Sequence, residues 1–382
     1  PPGTKGISIF IVPKFLGNAD GTLGPRNDIV CTGVEEKHGI HGSATCVMSL
    51  GSKGACTGFL LGPERDGMKI MFHMMNGARL GTGMQALAYA SSAYLYALDY
   101  ARRRIQGRDL ADFKNRTAAS VPIIRHPDVR RNLLWMKAHV EGLRALIYST
   151  WNLVDRARAA ATPEEAARCL RRLELLTPIV KGYGSERGYT ACVLGIQVFG
   201  GAGYTRDYPV EALARDCKIT TIFEGCTGVQ AMDLLARKLG LEGGRPFMEL
   251  LEDIQATVTA AAGQPEIAEL APRVAKAAQR LGQTAAQLGQ NAMSPAFRTA
   301  FAHATPFMDA MGDVVLAWLL LRRASVAAAR LAQAKKKDAD FYQGQVKTAE
   351  FFIRTVLPES QGRLIAVADA CDAAVAIPEA AF

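Results

Sequence analysis

The sequence lacks any long run of apolar residues. A helix that spans a membrane needs about 20 of them, and the longest run here, Val314–Leu321, is stopped by Arg322 and Arg323. Hydrophobic residues make up 49% and charged residues 21% of the 382 positions. These proportions are typical of a soluble globular protein with two or three packed units.

The sequence also lacks clustered cysteines. His38 and His41 lie three residues apart in a Gly-rich loop, but no third ligand is nearby, so we favour a loop or ligand-contact role over a metal site. We expect no bound metal, reduced thiols and a cytoplasmic location. The eight cysteines lie far apart without a Cys-x-x-Cys pair, which indicates neither a zinc site nor a disulfide framework: Cys31, Cys46, Cys56, Cys169, Cys192, Cys217, Cys226 and Cys371.

Positive charge is in excess. The 45 Lys and Arg residues outnumber the 36 Asp and Glu residues, and the formal net charge is +9. Nucleic acid, a membrane surface or an anionic small ligand would each suit this sign. The basic residues form short clusters, which on helices are more often solvated faces than a nucleic-acid track: Arg102–Arg104, Arg130–Arg131, Arg171–Arg172 and Lys335–Lys337.

Residues 1 to about 65 predict β structure, and the rest of the chain predicts helices. Short β-branched runs between Gly, Pro, Asn and Asp clusters predict strands at Ile7–Val12, Ile29–Val34, Thr45–Leu50 and Cys56–Leu61. Apolar residues at helical spacing predict one long helix over Lys69–Arg108. Further helices are predicted at 128–160, 163–182, 186–199 and 229–239. Residues Glu242–Pro246 are predicted to be a linker, and the helices after it are predicted at 250–290, 306–335, 338–357 and 361–376.

Glu224 is an acid among apolar neighbours. It follows Ile222 and Phe223 and is the only carboxylate between Asp216 and Asp233. Burial disfavours the charged form of a carboxyl group, which suits a base that takes a proton from carbon near neutral pH. The alternative is a surface acid just before a helix.

A Gly-rich stretch, Gln197–Tyr204, interrupts the helical pattern. Gly200, Gly201 and Gly203 leave room for a ligand or another chain, and exposed backbone N–H groups at such a turn can hold phosphate oxygens. No strand precedes the stretch and Gly-x-Gly-x-x-Gly is not satisfied, so it is not a Rossmann fingerprint. Taken alone, a simple loop is the more frequent explanation.

These segments, in their order along the chain, resemble the acyl-CoA dehydrogenase family. Residues 250–382 resemble the extra C-terminal helical domain of a longer branch of that family, which includes the methylthiopropanoyl-CoA dehydrogenases. The resemblance rests on Lys37–Ser43, Asn76–Arg79, Tyr100–Gly107, Gln197–Tyr204, Arg215–Ile219, Ile222–Gly225 and Gln230.

The resemblance implies a mainly α fold with a small β portion. Residues 1–66 would be the C-terminal part of the middle β domain, a partial β-barrel segment. Residues 67–242 would form the catalytic four-helix bundle, and residues 250–382 an additional helical bundle. The family's N-terminal helical domain and the first half of its β domain would precede Pro1, so we expect an N-terminally truncated chain that is inactive alone.

The activity implied is FAD-dependent α,β-dehydrogenation of an acyl-CoA thioester to the trans-2-enoyl-CoA. By motif position, Glu224 is the base that removes the α-proton while hydride passes to N5 of the flavin. Arg79 would lie near that base and help to position it. Gly225 and Asn76 are the implied substrate-binding residues.

The resemblance also implies a cofactor-binding set. Cys226 occupies the position where the family usually has Thr, and a thiol is a poorer hydrogen-bond donor than a hydroxyl. Thr227, the next residue, is the candidate substitute. The adenine-pyrophosphate half of FAD would contact four residues, usually across a subunit interface: Arg104, Gln197, Gly200 and Gly201.

The implied partners are an acyl-CoA substrate, an electron-transferring flavoprotein as acceptor, and further copies of the chain in a homodimer or homotetramer. The alternative is a non-catalytic DNA-binding protein on the same scaffold, like the alkylation-response relatives. The net charge of +9 and Lys335–Lys337 favour that alternative, whereas the intact Ile222–Gly225 motif and the few Lys and Arg residues in 250–290 disfavour it. A third possibility is a membrane-surface role for the C-terminal domain, as in very-long-chain relatives.

Overall fold

The computed structural model describes residues 1–112 and 114–382. They form two compact units, residues 1–78 and 79–382. Strands occur as short antiparallel pairs, and helices make up most of the second unit. The predicted mainly α fold with a small β portion is confirmed. The division into three domains at 66/67 and 242/250 stays a prediction.

The strands of the first unit are β1 (Ile9–Ile11), β2 (Phe15–Gly17), β3 (Leu23–Arg26), β4 (Ile29–Val34), β5 (Cys46–Leu50) and β6 (Phe59–Leu61). They form three antiparallel pairs: β1 with β6, β2 with β3, and β4 with β5. Asn27, only 4% exposed, connects their loops. Its side-chain nitrogen donates to the carbonyl oxygens of Pro13 (3.0 Å) and Thr57 (2.8 Å). The four predicted strands are confirmed in position, whereas β2 and β3 were not predicted.

Helix α1 (Gly67–Arg103) begins in the first unit and continues into the second. In the second unit it carries fully buried alanines three or four residues apart, which let a neighbouring helix approach closely: Ala86, Ala90, Ala93, Ala97 and Ala101. Gly188 and Gly195 on the later helix Gly184–Phe199 meet this stripe. A Cβ at these glycines would lie only 3.0 Å from Ala86 Cβ and 3.4 Å from Ala93 Cβ.

The helix bundle of the second unit is completed by α2 (Pro127–Arg158), α3 (Pro163–Pro178) and α4 (Gly184–Phe199). The Thr162 side chain caps α3 by accepting from the N–H of Glu165 at 3.2 Å. The predicted break between residues 182 and 186 is wrong, because a π-helical turn, Ile179–Tyr183, joins α3 directly to α4. Pro178 lacks a backbone donor, and the wider turn that follows accommodates the lost hydrogen bond.

The predicted extension of α1 to Arg108 is also wrong. The helix ends at Arg103, and β7 (Ile105–Arg108) pairs antiparallel with β8 (Ser120–Pro122). Gly107 has φ +72°, which is incompatible with a helix.

The remaining elements are helices. The predicted single helix over 250–290 is in fact two, because Gly263 and Pro265 interrupt it. The elements are α5 (Val210–Lys218), α6 (Thr227–Asp233), α7 (Arg245–Ala262), α8 (Ala271–Ala292), α9 (Phe297–Ala302), α10 (Ala304–Leu331), α11 (Lys336–Phe351), α12 (Leu357–Asp369) and α13 (Ala373–Ala376).

Helix α10 is the central element of the C-terminal part. The apolar run Val314–Leu321 lies in its buried core, and the helix packs against α2, α11 and α12. Gly142 on α2 makes room for it, since a Cβ there would lie 2.8 Å from Leu316 Cγ. Within the described ranges, no helix is long and apolar enough to cross a membrane.

Candidate active site

Glu224 lies on a sharp turn between α5 and α6. After a 3-10 turn at Ile219–Thr221, the chain reaches Glu224 and Gly225 with φ of +57° and +90°. A positive φ strains a residue that has a side chain by about 1–3 kcal/mol, and such strain is concentrated at functional sites. The surrounding structure must therefore hold Glu224 in this conformation.

Gln230 on α6 holds the turn from the buried side. Its side-chain nitrogen donates to the carbonyl oxygens of Glu224 (3.4 Å) and Gly225 (3.3 Å). A Cβ at Gly225 would lie 2.7 Å from this nitrogen, so glycine is required both by the space and by its φ. The backbone that presents Glu224 is thus fixed by a fully buried amide.

Arg79 on α1 lies against the same turn. Its Nη2 is 3.7 Å from the position that a Cβ would take at Gly225. The residue is 6% exposed, and its Nη1 pairs with Asp233 Oδ2 at 3.4 Å. Asp233 also pairs with Arg237 at 2.6 Å. The structure therefore places a fixed positive charge beside the Glu224–Gly225 turn.

A second buried cation, Lys181, belongs to the π-helical turn between α3 and α4. It is 0% exposed, and its Nζ has no hydrogen-bond partner among the described residues. Burial lowers the pKa of Lys181 to about 8, although Cys226, Glu186 and Glu224 act in the opposite direction.

Cys226 and Thr227 follow the turn directly. Cys226 is exposed and is the N-cap residue of α6. The Thr227 hydroxyl lies 2.6 Å from Glu186 Oε1 and 3.3 Å from the carbonyl oxygen of Thr221. It has one proton to donate, and the shorter distance favours the carboxylate of Glu186.

A cleft of about 360 Å³ lies elsewhere in the second unit. Three predicted cofactor residues line it: Arg104, Gln197 and Gly200. Gly200 ends α4 with φ +63° and has open space where a Cβ would be. The rings of Tyr100 and Phe199 stack 4.1 Å apart along the cleft. The other described lining residues are Gln106, Gly107, Ile123, His126, Val129 and Val198.

The chemistry of this cleft suits an anionic ligand with a flat polar group. Arg104 provides a guanidinium, Gln106 and Gln197 provide amides, and none of the described lining residues is acidic. Arginine and open backbone at glycine are groups that hold phosphate oxygens. The donors therefore fit the adenine-pyrophosphate half of FAD.

The predicted site residues thus divide into two groups. Glu224, Gly225, Arg79, Cys226 and Thr227 surround the turn before α6, whereas Arg104, Gln197 and Gly200 line the cleft, with Gly201 next in the chain. Asn76 is exposed on the part of α1 that belongs to the first unit.

The apolar setting that the sequence predicts for Glu224 is only partly present. Ile222 is 54% exposed. Phe223 is half-buried. Within residues 1–112 and 114–382, no group of three or more His, Cys, Asp and Glu side chains could hold a metal ion.

Three residues near the turn were not predicted from the sequence to act there: Lys181, Glu186 and Asp233. For Lys181 a signal existed, because it is a lone charge in the apolar segment Leu175–Tyr183. For Asp233 and Glu186 no local pattern indicates Arg79 and Thr227 as partners, which lie 154 and 41 residues away along the chain.

Two protein families match the chain. Residues 110–239 match the family described as "Acyl-CoA dehydrogenase, C-terminal domain". Residues 250–378 match the family described as "Acetyl-CoA dehydrogenase C-terminal like". The first match covers α2 to α6 with the Glu224 turn and part of the cleft lining, and the second covers the C-terminal helices.

Individual relatives agree with these matches. The butyryl-CoA dehydrogenase of Syntrophomonas wolfei is 36% identical over 100% of this chain and 63% of its own. The 3-methylmercaptopropionyl-CoA dehydrogenase of Ruegeria pomeroyi is 38% identical over 97% of this chain and 62% of its own. The chain therefore spans less than two thirds of these relatives' length.

A solved structure has the same fold. The acyl-CoA dehydrogenase of Bacillus anthracis, complexed with FAD, superposes with a TM-score of 0.71 at 21% identity, over 93% of this chain and 58% of that one. The family matches, the relatives and the fold agree: the chain belongs to the acyl-CoA dehydrogenase family.

Proposed function

We propose that this chain carries the proton-abstracting part of an FAD-dependent acyl-CoA dehydrogenase, with Glu224 as the base. The observation that supports this most is the Glu224–Gly225 turn itself. An acidic residue is held at φ +57° by a buried amide, with the Arg79 guanidinium beside it. The dehydrogenation that gives the acyl-CoA dehydrogenase family its name needs a carboxylate fixed in this way.

The proposed reaction removes two hydrogens from an acyl-CoA thioester. The Glu224 carboxylate takes the α-proton, and the electron pair of the broken C–H bond forms the Cα=Cβ double bond as the β-hydrogen leaves as hydride. FAD, when bound, supplies the hydride acceptor. The product is the trans-2-enoyl-CoA, and Glu224 is left protonated.

Arg79 and Gly225 have supporting roles in this proposal. The positive charge of Arg79 attracts the nearby carboxylate and limits its orientations. Gly225 lets the thioester approach the backbone, because no side chain stands there. Asn76 is proposed to contact the substrate by resemblance alone.

For the cofactor, we propose that Arg104, Gln197, Gly200 and Gly201 hold the adenine-pyrophosphate half of FAD. Support comes from the acid-free, donor-rich cleft that three of them line. Cys226 and Thr227 are proposed to contact the flavin from the turn. If so, the Thr227 hydroxyl would serve the cofactor with its lone pairs while it donates to Glu186.

The proposed partners follow from family membership. The substrate is an acyl-CoA, the electron acceptor an electron-transferring flavoprotein, and the assembly a homodimer or homotetramer. Butyryl-CoA and 3-methylmercaptopropionyl-CoA are the natural first substrates to try, because two relatives carry these names.

The test is Glu224→Gln in the protein expressed from its complete open reading frame. We expect reduction of bound FAD by butyryl-CoA, followed as anaerobic loss of flavin absorbance, to slow by at least about 10³-fold, because the amide cannot accept the proton. FAD content should be unchanged, since no cofactor contact is removed.

Glu242→Gln is the matched control. Glu242 also has a positive φ, +48°, but lies on the linker before α7, where it pairs with Arg171. Its variant should reduce flavin at the wild-type rate. A Glu224→Gln protein that retains FAD and is reduced as fast as the control would disprove the assignment of the base.

A further inference from the structure

The C-terminal helices contain a second cavity, lined by none of the residues assigned to the proposed reaction. Its volume is about 210 Å³. It is formed by one face of α8, the π-helical turn Phe352–Val356 and the start of α12. None of its described lining residues is acidic. We call it the α8 cavity.

Three basic residues of α8 line this cavity: Arg273, Lys276 and Arg280. Their spacing of three and four residues places them on one face of the helix, so that like charges are neighbours. Helix α8 contains no Asp or Glu, and within the described residues none of the three side chains has an ion-pair partner. Such a row of like charges destabilises a helix, and a bound anion would relieve the repulsion.

The acids of the neighbouring segments do not neutralise this row. Glu269, which precedes α8, pairs with Arg354. Glu359 on α12 is exposed and is not among the residues that line the cavity. The α8 cavity therefore presents three positive charges to a ligand.

The side chain of Gln361 is an independent sign of a ligand. Its Oε1 and Nε2 are both buried and have no hydrogen-bond partner within residues 1–112 and 114–382. Most buried polar atoms do have a partner, so an amide with neither group satisfied calls for an explanation. Gln361 lines the cavity, and rotation about its side-chain bonds turns the amide toward a ligand there. Nε2 can then donate to an anionic oxygen.

The position of Gln361 is fixed by the residue before it. The Ser360 hydroxyl is buried and donates to Asp313 Oδ2 at 2.6 Å. This bond holds the first turn of α12 against α10. The amide of Gln361 is therefore carried by a backbone that is anchored on the side away from α8.

The charges and the shape of the cavity favour a phosphate group over a carboxylate. A guanidinium group matches phosphate oxygens with two parallel hydrogen bonds. A phosphate ester carries about two negative charges at neutral pH, whereas a carboxylate carries one. The remaining wall is apolar and suits an apolar part of the same ligand; it consists of Ile353, Leu357 and Pro358.

The size of the cavity limits the ligand further. Pockets for drug-sized ligands and cofactors begin at about 300 Å³, and the α8 cavity is smaller. It therefore suits a small phosphate ester and not a whole dinucleotide such as FAD.

We propose that the α8 cavity is a binding site for a small organic phosphate. Arg273, Lys276 and Arg280 hold the phosphate group, Gln361 donates a hydrogen bond to it, and the apolar wall contacts the organic part. The site goes beyond the proposed function, because it does not depend on the role of Glu224.

Titration calorimetry with phenyl phosphate tests this proposal. The complete protein is saturated with FAD in a phosphate-free buffer, so that the cofactor cleft is filled. We expect saturable binding of one phenyl phosphate per chain. Inorganic phosphate should bind more weakly, because it has no apolar part to bury. Glu224→Gln should bind phenyl phosphate like the wild type.

Two variants remove the groups that are proposed to hold the ligand. The triple variant Arg273→Gln, Lys276→Gln, Arg280→Gln should lose at least about tenfold in affinity. Arg280→Gln alone should lose less, and it replaces the triple variant if that protein does not fold. Gln361→Leu keeps the three charges and should also bind more weakly.

The matched control removes three charges elsewhere. Lys335, Lys336 and Lys337 are exposed at the start of α11, and their triple substitution by Gln lowers the net charge by the same amount. Its affinity for phenyl phosphate should equal that of the wild type.

Four results would overturn the proposal. The first is the absence of saturable binding in the wild type, and the second is an equal loss of affinity in the control. The third is an unchanged affinity in Gln361→Leu together with the triple variant of α8. The fourth is binding to vesicles with anionic lipids that the triple variant loses and phenyl phosphate does not compete for, which would assign the charges to a membrane surface.

Discussion

Three buried side-chain atoms beside the Glu224 turn have no hydrogen-bond partner within the described residues: Arg79 Nε, Lys181 Nζ and Gln230 Oε1. Leaving such an atom unsatisfied costs about 1–3 kcal/mol. A site that only had to be stable would replace these side chains by apolar ones. Their presence, together with the strained φ of Glu224, is the pattern expected where stability is exchanged for function.

His139 on α2 provides a test of burial that is independent of the reaction. Its Nδ1 donates to the carbonyl oxygen of Trp135 at 2.9 Å, and its ring stacks on that indole with centroids 3.6 Å apart. Its Nε2 has no partner among the described residues. Burial, helped by the charge of Arg187, lowers the pKa of His139 from 6.5 to about 4.

This depressed pKa predicts a loss of stability in acid. Between pH 6.5 and about 4 the unfolded chain binds a proton that folded His139 does not, so the free energy of unfolding falls as pH decreases through that range, by at most about 3 kcal/mol. His139→Gln, which keeps a donor for Trp135, should flatten this part of the curve. Urea unfolding at a series of pH values measures it. The exposed His73 is the control; an equal flattening in His73→Gln would contradict the account.

At the scale of elements, the π-helical turn Ile179–Tyr183 is in contact with several helices. It links α3 to α4, carries Lys181, and is packed by α10 through Gly312. A π-helical turn is wider than an α-helical one and is frequent at functional sites. Tyr183 fits closely against Gly312, so α10 packs directly on this turn.

Gly312→Ala tests how closely α10 packs on this turn. The added Cβ would overlap the buried Tyr183 ring, at 2.3 Å from its Cγ, so we expect the free energy of unfolding to fall by about 1–3 kcal/mol. Gly289→Ala on α8 is the matched control, since a Cβ there meets open space; it should raise stability by up to about 1 kcal/mol. Thermal unfolding of both variants decides the point. Equal changes in the free energy of unfolding for the two substitutions would contradict the packing described for this turn.

The elements that the sequence predicted correctly are those with a local cause. Helix α3 begins at Pro163 as predicted, capped by Thr162, and the β-branched runs became strands. The errors occurred where a distant segment decides the outcome. Residues 105–108 form a strand because β8 is available to pair. The predicted break after residue 182 is absent, and Tyr183 there packs against Gly312 of α10.

At the scale of the whole molecule, the candidate site could be predicted only in part. The motif order located Glu224, Arg79 and the residues of the cleft, and the structure brings Arg79 to the turn and Arg104, Gln197 and Gly200 to one cleft. The burial of Lys181 and the pairing of Asp233 with Arg79 could not be predicted, because they depend on side chains that only the folded chain brings together.

The family and its fold set the framework for these residues, but the chain spans 63% and 62% of the relatives compared above. The complete reaction is therefore best tested on the protein from its complete open reading frame. The central claim is narrower than the complete reaction. It is that Glu224 takes the α-proton.

Exchange of the α-hydrogen of butyryl-CoA with deuterated solvent measures that step directly, under anaerobic conditions and without an electron acceptor. Mass spectrometry of the recovered thioester should detect deuterium at the α-carbon after incubation with the wild-type protein. With Glu224→Gln the exchange should fall to the rate without enzyme, whereas Glu242→Gln should exchange like the wild type. Deuterium incorporation by Glu224→Gln at the wild-type rate would contradict the account.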